Sequence, residues 1–111
     1  MTRSIKEWQR EVYENAKAHG WHEEPFNVPE KLALVHSEVS EALEAYRDGG
    51  DVRYVPRADG GKPEGFATEL ADVVIRCLDL AERLDIDLES VIAEKNAFNW
   101  SRPYRHGGKK C

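Results

Sequence analysis

The sequence predicts an all-α fold: a four-helix bundle assembled as a homo-oligomer. Three observations predict it. Apolar residues recur at helical spacing in four segments. Start and stop residues punctuate those segments, and no strand-like alternation of useful length intervenes. The third segment is also too apolar for one chain of 111 residues to cover alone.

Ser4-Ile5-Lys6-Glu7 has the form of a capping box. Ile5, Trp8, Val12 and Ala16 then follow at helical spacing, and Gly20 takes the C′ position that ends the first helix. Residues 21–27 form a loop carrying Trp21 and Phe26. Asn27 caps a second helix with Pro29 in its first turn, running to about Asp48 and stopped by Gly49-Gly50. Residues 49–65 hold five of the eight glycines and two prolines, so they read as a long connection with room for a short hairpin at Asp59-Gly60-Gly61. A third helix spans about Phe66 to Leu84, and a fourth runs from near Asp87 to about Asn99. Pro103 and Gly107-Gly108 end regular structure. The expected division is a helical domain over 1–99 and a basic tail over 100–111, either closing over the site or flexible.

Composition narrows the function classes. The net charge is −5, which argues against general nucleic-acid binding. Arg102, Arg105, Lys109 and Lys110 lie in the last twelve residues without an acid, so residues 1–99 carry −9. An acidic body with a cationic end suits a metal together with a polyanion. Cys77 reads as a small buried hydrophobe and Cys111 as unpaired, so a reducing, cytoplasmic setting is expected. No signal-peptide stretch or membrane span is expected, and no membrane partner.

The chemistry concentrates in two acidic pairs, Glu38-x-x-Glu41 and Glu69-x-x-Asp72. Spacing of i,i+3 puts each pair on one side of its helix. Two such helices face to face converge four carboxylates, an arrangement that needs a compensating cation such as Mg²⁺. On the second helix Leu32, Val35, Val39, Leu43 and Tyr46 form the main apolar stripe, widened by Leu34, Ala42 and Ala45. Glu38 falls inside that arc and Glu41 at its edge, whereas a solvated Glu belongs beside Arg47. On the third helix Glu69, Asp72, Arg76, Asp79 and Arg83 share one polar strip, with Asp72–Arg76 and Asp79–Arg83 as candidate i,i+4 ion pairs. Its remaining arc, from Phe66 through Leu84, implies an oligomer interface. A di-iron site is disfavoured because neither pair is followed by His at i+3. Gly60-Gly61-Lys62 lacks the spacing of a phosphate-binding loop.

Leu88, Val91 and Ile92 mark the inward stripe of the fourth helix, and Lys95, Asn99 and Arg102 continue it. A polar, cationic series on an inward face suits phosphate oxygens.

Residues 34–44 (Leu-Val-His-Ser-Glu-Val-Ser-Glu-Ala-Leu-Glu), residues 69–76 (Glu-Leu-Ala-Asp-Val-Val-Ile-Arg) and Lys95-x-x-x-Asn99-x-x-Arg102-Pro103 with His106-Gly107-Gly108-Lys109 together resemble the MazG-like all-α nucleoside triphosphate pyrophosphohydrolases. The resemblance extends over about Gly20 to Lys109 and leans toward deoxycytidine triphosphate pyrophosphatase-type members. It implies Mg²⁺-dependent cleavage between the α- and β-phosphates of a nucleotide, with Mn²⁺ as an alternative ion, in a homodimer or homotetramer. It implies Glu38, Glu41, Glu69 and Asp72 as metal ligands, Glu41 and Glu38 as catalytic carboxylates, Lys95, Asn99 and Arg102 as substrate-binding residues, and Trp21 as a base-stacking residue. Two departures stand out: Ser37 occupies a position that is acidic in many members, and no aromatic follows the second helix directly, leaving Tyr54 as its substitute. Phosphoribosyl-ATP pyrophosphatase activity, dUTPase activity and a non-catalytic nucleotide- or metal-binding bundle remain alternatives.

Overall fold

The computed structural model describes residues 2–53 and 57–105. Tyr54 and residues 106–111, which include His106, Lys109, Lys110, Cys111 and so half of the expected tail, lie outside the described residues. The fold is all-helical: α1 Ile5–Ala18, α2 Val28–Arg47, α3 Phe66–Arg83 and α4 Leu88–Ser101.

Local chemistry sets these bounds. Ser4 Oγ accepts the Glu7 N–H while the Glu7 carboxylate accepts the Ser4 N–H, closing the expected capping box. Asn27 accepts the Glu30 N–H at the start of α2, and Asp87 accepts the Ser90 N–H at the start of α4. α1 and α3 end alike. Gly20, at φ +83°, lets the Trp21 N–H donate to the Ala16 carbonyl. Asp85, at φ 57°, does the same for Ile86 and the Ala81 carbonyl. Residues 57–60 make a turn with the Gly60 N–H donating to the Arg57 carbonyl, and no strand forms among the described residues.

α3 is the centre of the fold, packed on α2 along one side and α1 along the other, while α4 rests lightly on α1. Arg10 reaches Glu82 at 3.4 Å, and the Lys6 N–H donates to Glu89. Gln9, almost fully buried, donates to Glu82 at 3.0 Å and to the Ile86 carbonyl at 2.6 Å. It thereby ties α1 to the α3–α4 turn. Gln9→Ala is expected to cost about 1–3 kcal/mol, because the Ile86 carbonyl loses its donor in a partly buried place; urea unfolding measures this.

The packed faces differ from the sequence expectation. On α2 the line facing α3 is Leu34, Glu38, Ala42 and Ala45, with Glu38 and Ala42 the buried members. The expected main stripe is uncovered: Leu32, Val39, Leu43 and Tyr46 are all exposed, and only Val35 is partly covered. Small side chains explain the choice, since the two alanines allow α2 to approach α3 closely. On α4 the expected inward residues Val91 and Ile92 are exposed, and no residue of the helix is buried. Cys77 is half-buried rather than buried. Among the described residues the buried apolar side chains are Ala42, Leu78 and Ala81.

Candidate metal centre and adjoining cavity

Glu38 and Glu41 project from the C-terminal half of α2 toward Glu69, one turn into α3. One carboxylate oxygen from each lies within 4.8 Å of the other two. Glu38 is 8% exposed, Glu69 is intermediate and Glu41 is exposed. Glu38 Oε2 and Glu69 Oε2 are buried and have no hydrogen-bond partner. A buried carboxylate oxygen without a donor is costly, and a cation held by the three groups could offset that cost.

The electrostatics agree. The Glu41 carboxyl is held above its ordinary 4.5, first by its carboxyl–carboxyl contact with Glu38, then by the Glu38 charge, burial and Glu69. Burial raises Asp72 too, and the Glu38 charge adds to it, while Arg76 and Lys62 oppose. Asp72 thus stands beside the group of three, outside its 4.8 Å circle but on the same cavity wall as Glu38. Lys62 brings the α2–α3 connection into this neighbourhood.

The candidate i,i+4 pairs of α3 are replaced by longer-range ones. Arg76 Nε donates to Glu38 Oε1 at 2.7 Å instead of pairing with Asp72. Asp79 takes His22 Nε2 at 2.9 and 3.2 Å instead of Arg83. Arg83 lies 4.0 Å over the Phe26 ring. The polar strip therefore faces a cavity, of about 560 Å³, bounded by α1, α2, α3 and the 21–24 loop. Glu38 and Asp72 stand at one end, Arg76, Ile75 and Leu34 in the middle, and Asp79, Arg83, Lys31 and Trp21 further along.

Trp21, 67% exposed, lines the cavity. Lys95, Asn99 and Arg102 are not brought there: they lie on or just beyond α4, with Lys95 and Arg102 near the Phe98 ring, 5.1 and 5.8 Å from its centroid. Ser37, where an acid was sought, donates to the Leu34 carbonyl on the α2 surface. The sequence reading missed His22, Lys31 and the pairing of Arg76. The polar strip of α3 was visible in the sequence, but nothing in the spacing pointed to His22 in the 21–24 loop or Lys31 on α2.

Fold and site together define an all-helical protein with three clustered carboxylates, of which Glu38 lines a cavity of mixed polar and apolar walls. No protein-family model, curated protein or solved structure matches the chain. No helix among the described residues is long and apolar enough to cross a membrane.

Proposed function

We propose that this protein is a Mg²⁺-dependent nucleotide pyrophosphohydrolase, cleaving a nucleoside triphosphate between its α- and β-phosphates to a monophosphate and pyrophosphate. The observation that supports it best is the meeting of Glu38, Glu41 and Glu69 around one point, with a buried Glu38 oxygen unpartnered. The donor set fits Mg²⁺ or Mn²⁺: hard carboxylate oxygens from two rigid helices. Bound there, the ion supplies charge neutralisation at the phosphates and a more acidic water.

The chain's own groups divide the remaining work. Glu38 and Glu69 hold the ion, with Asp72 on the cavity side. Glu41, the exposed member of the cluster, is our choice to take a proton from the attacking water. Lys31 and Arg76 give the polyphosphate cationic partners on the cavity wall. Lys95, Asn99 and Arg102 reach the phosphates from a neighbouring copy in a homodimer or homotetramer, which also covers the exposed stripe of α2. No nucleic-acid partner is proposed, and the setting is cytoplasmic.

The test is hydrolysis of a broad nucleotide panel with pyrophosphate detection, in Mg²⁺ and in chelator. Turnover of at least one nucleotide that chelator abolishes is expected. Metal-dependent binding without turnover would leave only a nucleotide- or metal-binding bundle. The Arg76–Glu38 ion pair favours a second reading, in which arginine alone satisfies Glu38 and Mg²⁺ leaves the melting temperature unchanged.

Stability should also couple to pH through the cluster. A carboxyl whose folded pKa lies above its unfolded value binds its proton more tightly when folded. Glu41 and Asp72 therefore stabilise the fold at low pH, and that contribution is lost as pH rises through their raised values. In chelator the melting temperature is expected to fall across that window above 4.5, and saturating Mg²⁺ to remove the fall. Calorimetric scans at stepped pH read both.

A further inference from the structure

The far end of the cavity holds a second polar constellation that metal chemistry does not use. His22 follows directly on the Gly20–Trp21 helix stop, and its side chain is 10% exposed. The ring lies against Tyr13, with centroids 4.7 Å apart. Its Nε2 meets both oxygens of Asp79, which fixes the proton on that nitrogen and holds the carboxylate in one orientation. A carboxylate has about four acceptor positions, so Asp79 keeps spare capacity toward the cavity that it lines.

Arg83 stands one turn further along α3 and lines the same cavity. Its guanidinium is set over Phe26, and its Nη1 is buried without a hydrogen-bond partner. An acceptor and an unpaired donor are thus presented side by side, from a rigid helix, in a recess bordered by Trp21 and Leu80. Asp79 lies seven residues beyond Asp72, about two turns or ~10 Å along the helix. That separation suits a nucleoside whose 5′ phosphates sit at the carboxylate cluster.

We infer that Asp79, oriented by His22, reads an N–H donor on the edge of the nucleobase, with Arg83 donating to the neighbouring acceptor. This rests on the nucleotide reading of the site and adds to it the determinant of base choice. The geometry selects planar heterocycles with a donor beside an acceptor, and it penalises analogues that leave Asp79 unpaired. Trp21 offers a face to any base and so contributes affinity rather than selection.

The experiment is equilibrium binding of nucleoside monophosphates in saturating Mg²⁺, by calorimetry, in pairs that differ by one donor. Suitable pairs are the 5′-monophosphates of cytidine against 2-pyrimidinone riboside and of adenosine against purine riboside. The wild type is expected to favour the donor-bearing member of at least one pair by about tenfold or more. Asp79→Leu, which removes the acceptor, is expected to bring that ratio close to one, and His22→Leu to lower it, because the carboxylate loses its orientation. If Asp79→Leu does not fold, Arg83→Met carries the test, since it removes the donor facing the acceptor that both members of a pair keep; it should weaken both about tenfold, and unchanged binding would overturn the inference. No discrimination by the wild type, or discrimination that survives Asp79→Leu, would overturn the inference. Chelator-sensitive pyrophosphate release is read separately, so the metal-dependent activity stands or falls apart from the base-reading assignment.

Discussion

Glu38→Ala is expected to abolish both turnover and metal-induced stabilisation while barely altering the chelated protein. Glu38 is the buried member of the cluster, and its Oε2 has no donor. Metal binding to the folded state stabilises it by about 2.7 kcal/mol at a hundred times Kd, which for a domain of this size raises the melting temperature on the order of 10 °C. Removing a direct ligand should exceed the ~10–100-fold cost seen when only a ligand's supporting partner is removed. A loss of kcat/KM beyond ~100-fold is therefore expected. Without metal, Glu38 contributes mainly its pair with Arg76, whose side chain is 41% exposed. The Glu38 side chain itself is only 10% exposed. Loss of the pair is offset by removing a buried carboxylate oxygen that lacks a donor, so the variant's melting temperature in chelator should stay near that of the wild type. A large loss in chelator together with an unchanged response to Mg²⁺ would show that Glu38 serves the ion pair and not a metal.

Val74→Lys is expected to convert an oligomer to a monomer and to lower stability with it. Val74 is 55% exposed on α3, and Leu70 and Ile75 near it are also exposed. Leu43 and Tyr46 add to the uncovered apolar surface on α2. Patches of this kind mark association surfaces in water. With Ala42, Leu78 and Ala81 as the buried apolar residues described, one copy removes little apolar area from water. A lysine in the middle of an interface leaves an unpaired charge there, at a cost of several kcal/mol per contact. Light scattering should show the mass falling to that of one chain, with unfolding at lower urea. An unchanged monomeric mass in both proteins would remove the oligomer and the role in trans given to Lys95, Asn99 and Arg102.

The candidate site was readable in the sequence to unequal depth. Glu38 announced itself because a helical wheel put it among apolar neighbours, where a carboxylate needs a partner. Glu69 and Asp72 were weaker, since a salt-bridged face explained the same strip. Arg76 and Asp79 were assigned to their own helix, because i,i+4 neighbours are the only partners sequence spacing reveals. Their actual partners, Glu38 and His22, are 38 and 57 residues away. Those pairings depend on how α2 and the 21–24 loop meet α3.

The sequence alone determined the four helices and their ends, down to the capping box at Ser4 and the stop at Gly20. These features depend on hydrogen bonds and backbone preferences spanning only a few residues. It also determined that two acidic pairs each occupy one side of a helix. Tertiary structure decided which stripe of α2 packs, because close approach favours Ala42 and Ala45 over the bulkier Leu43 and Tyr46. It decided that Glu38, Glu41 and Glu69 meet and that the strip of α3 faces a cavity. Helix periodicity fixes a residue's angle around its own axis, but only packing fixes which way that axis turns.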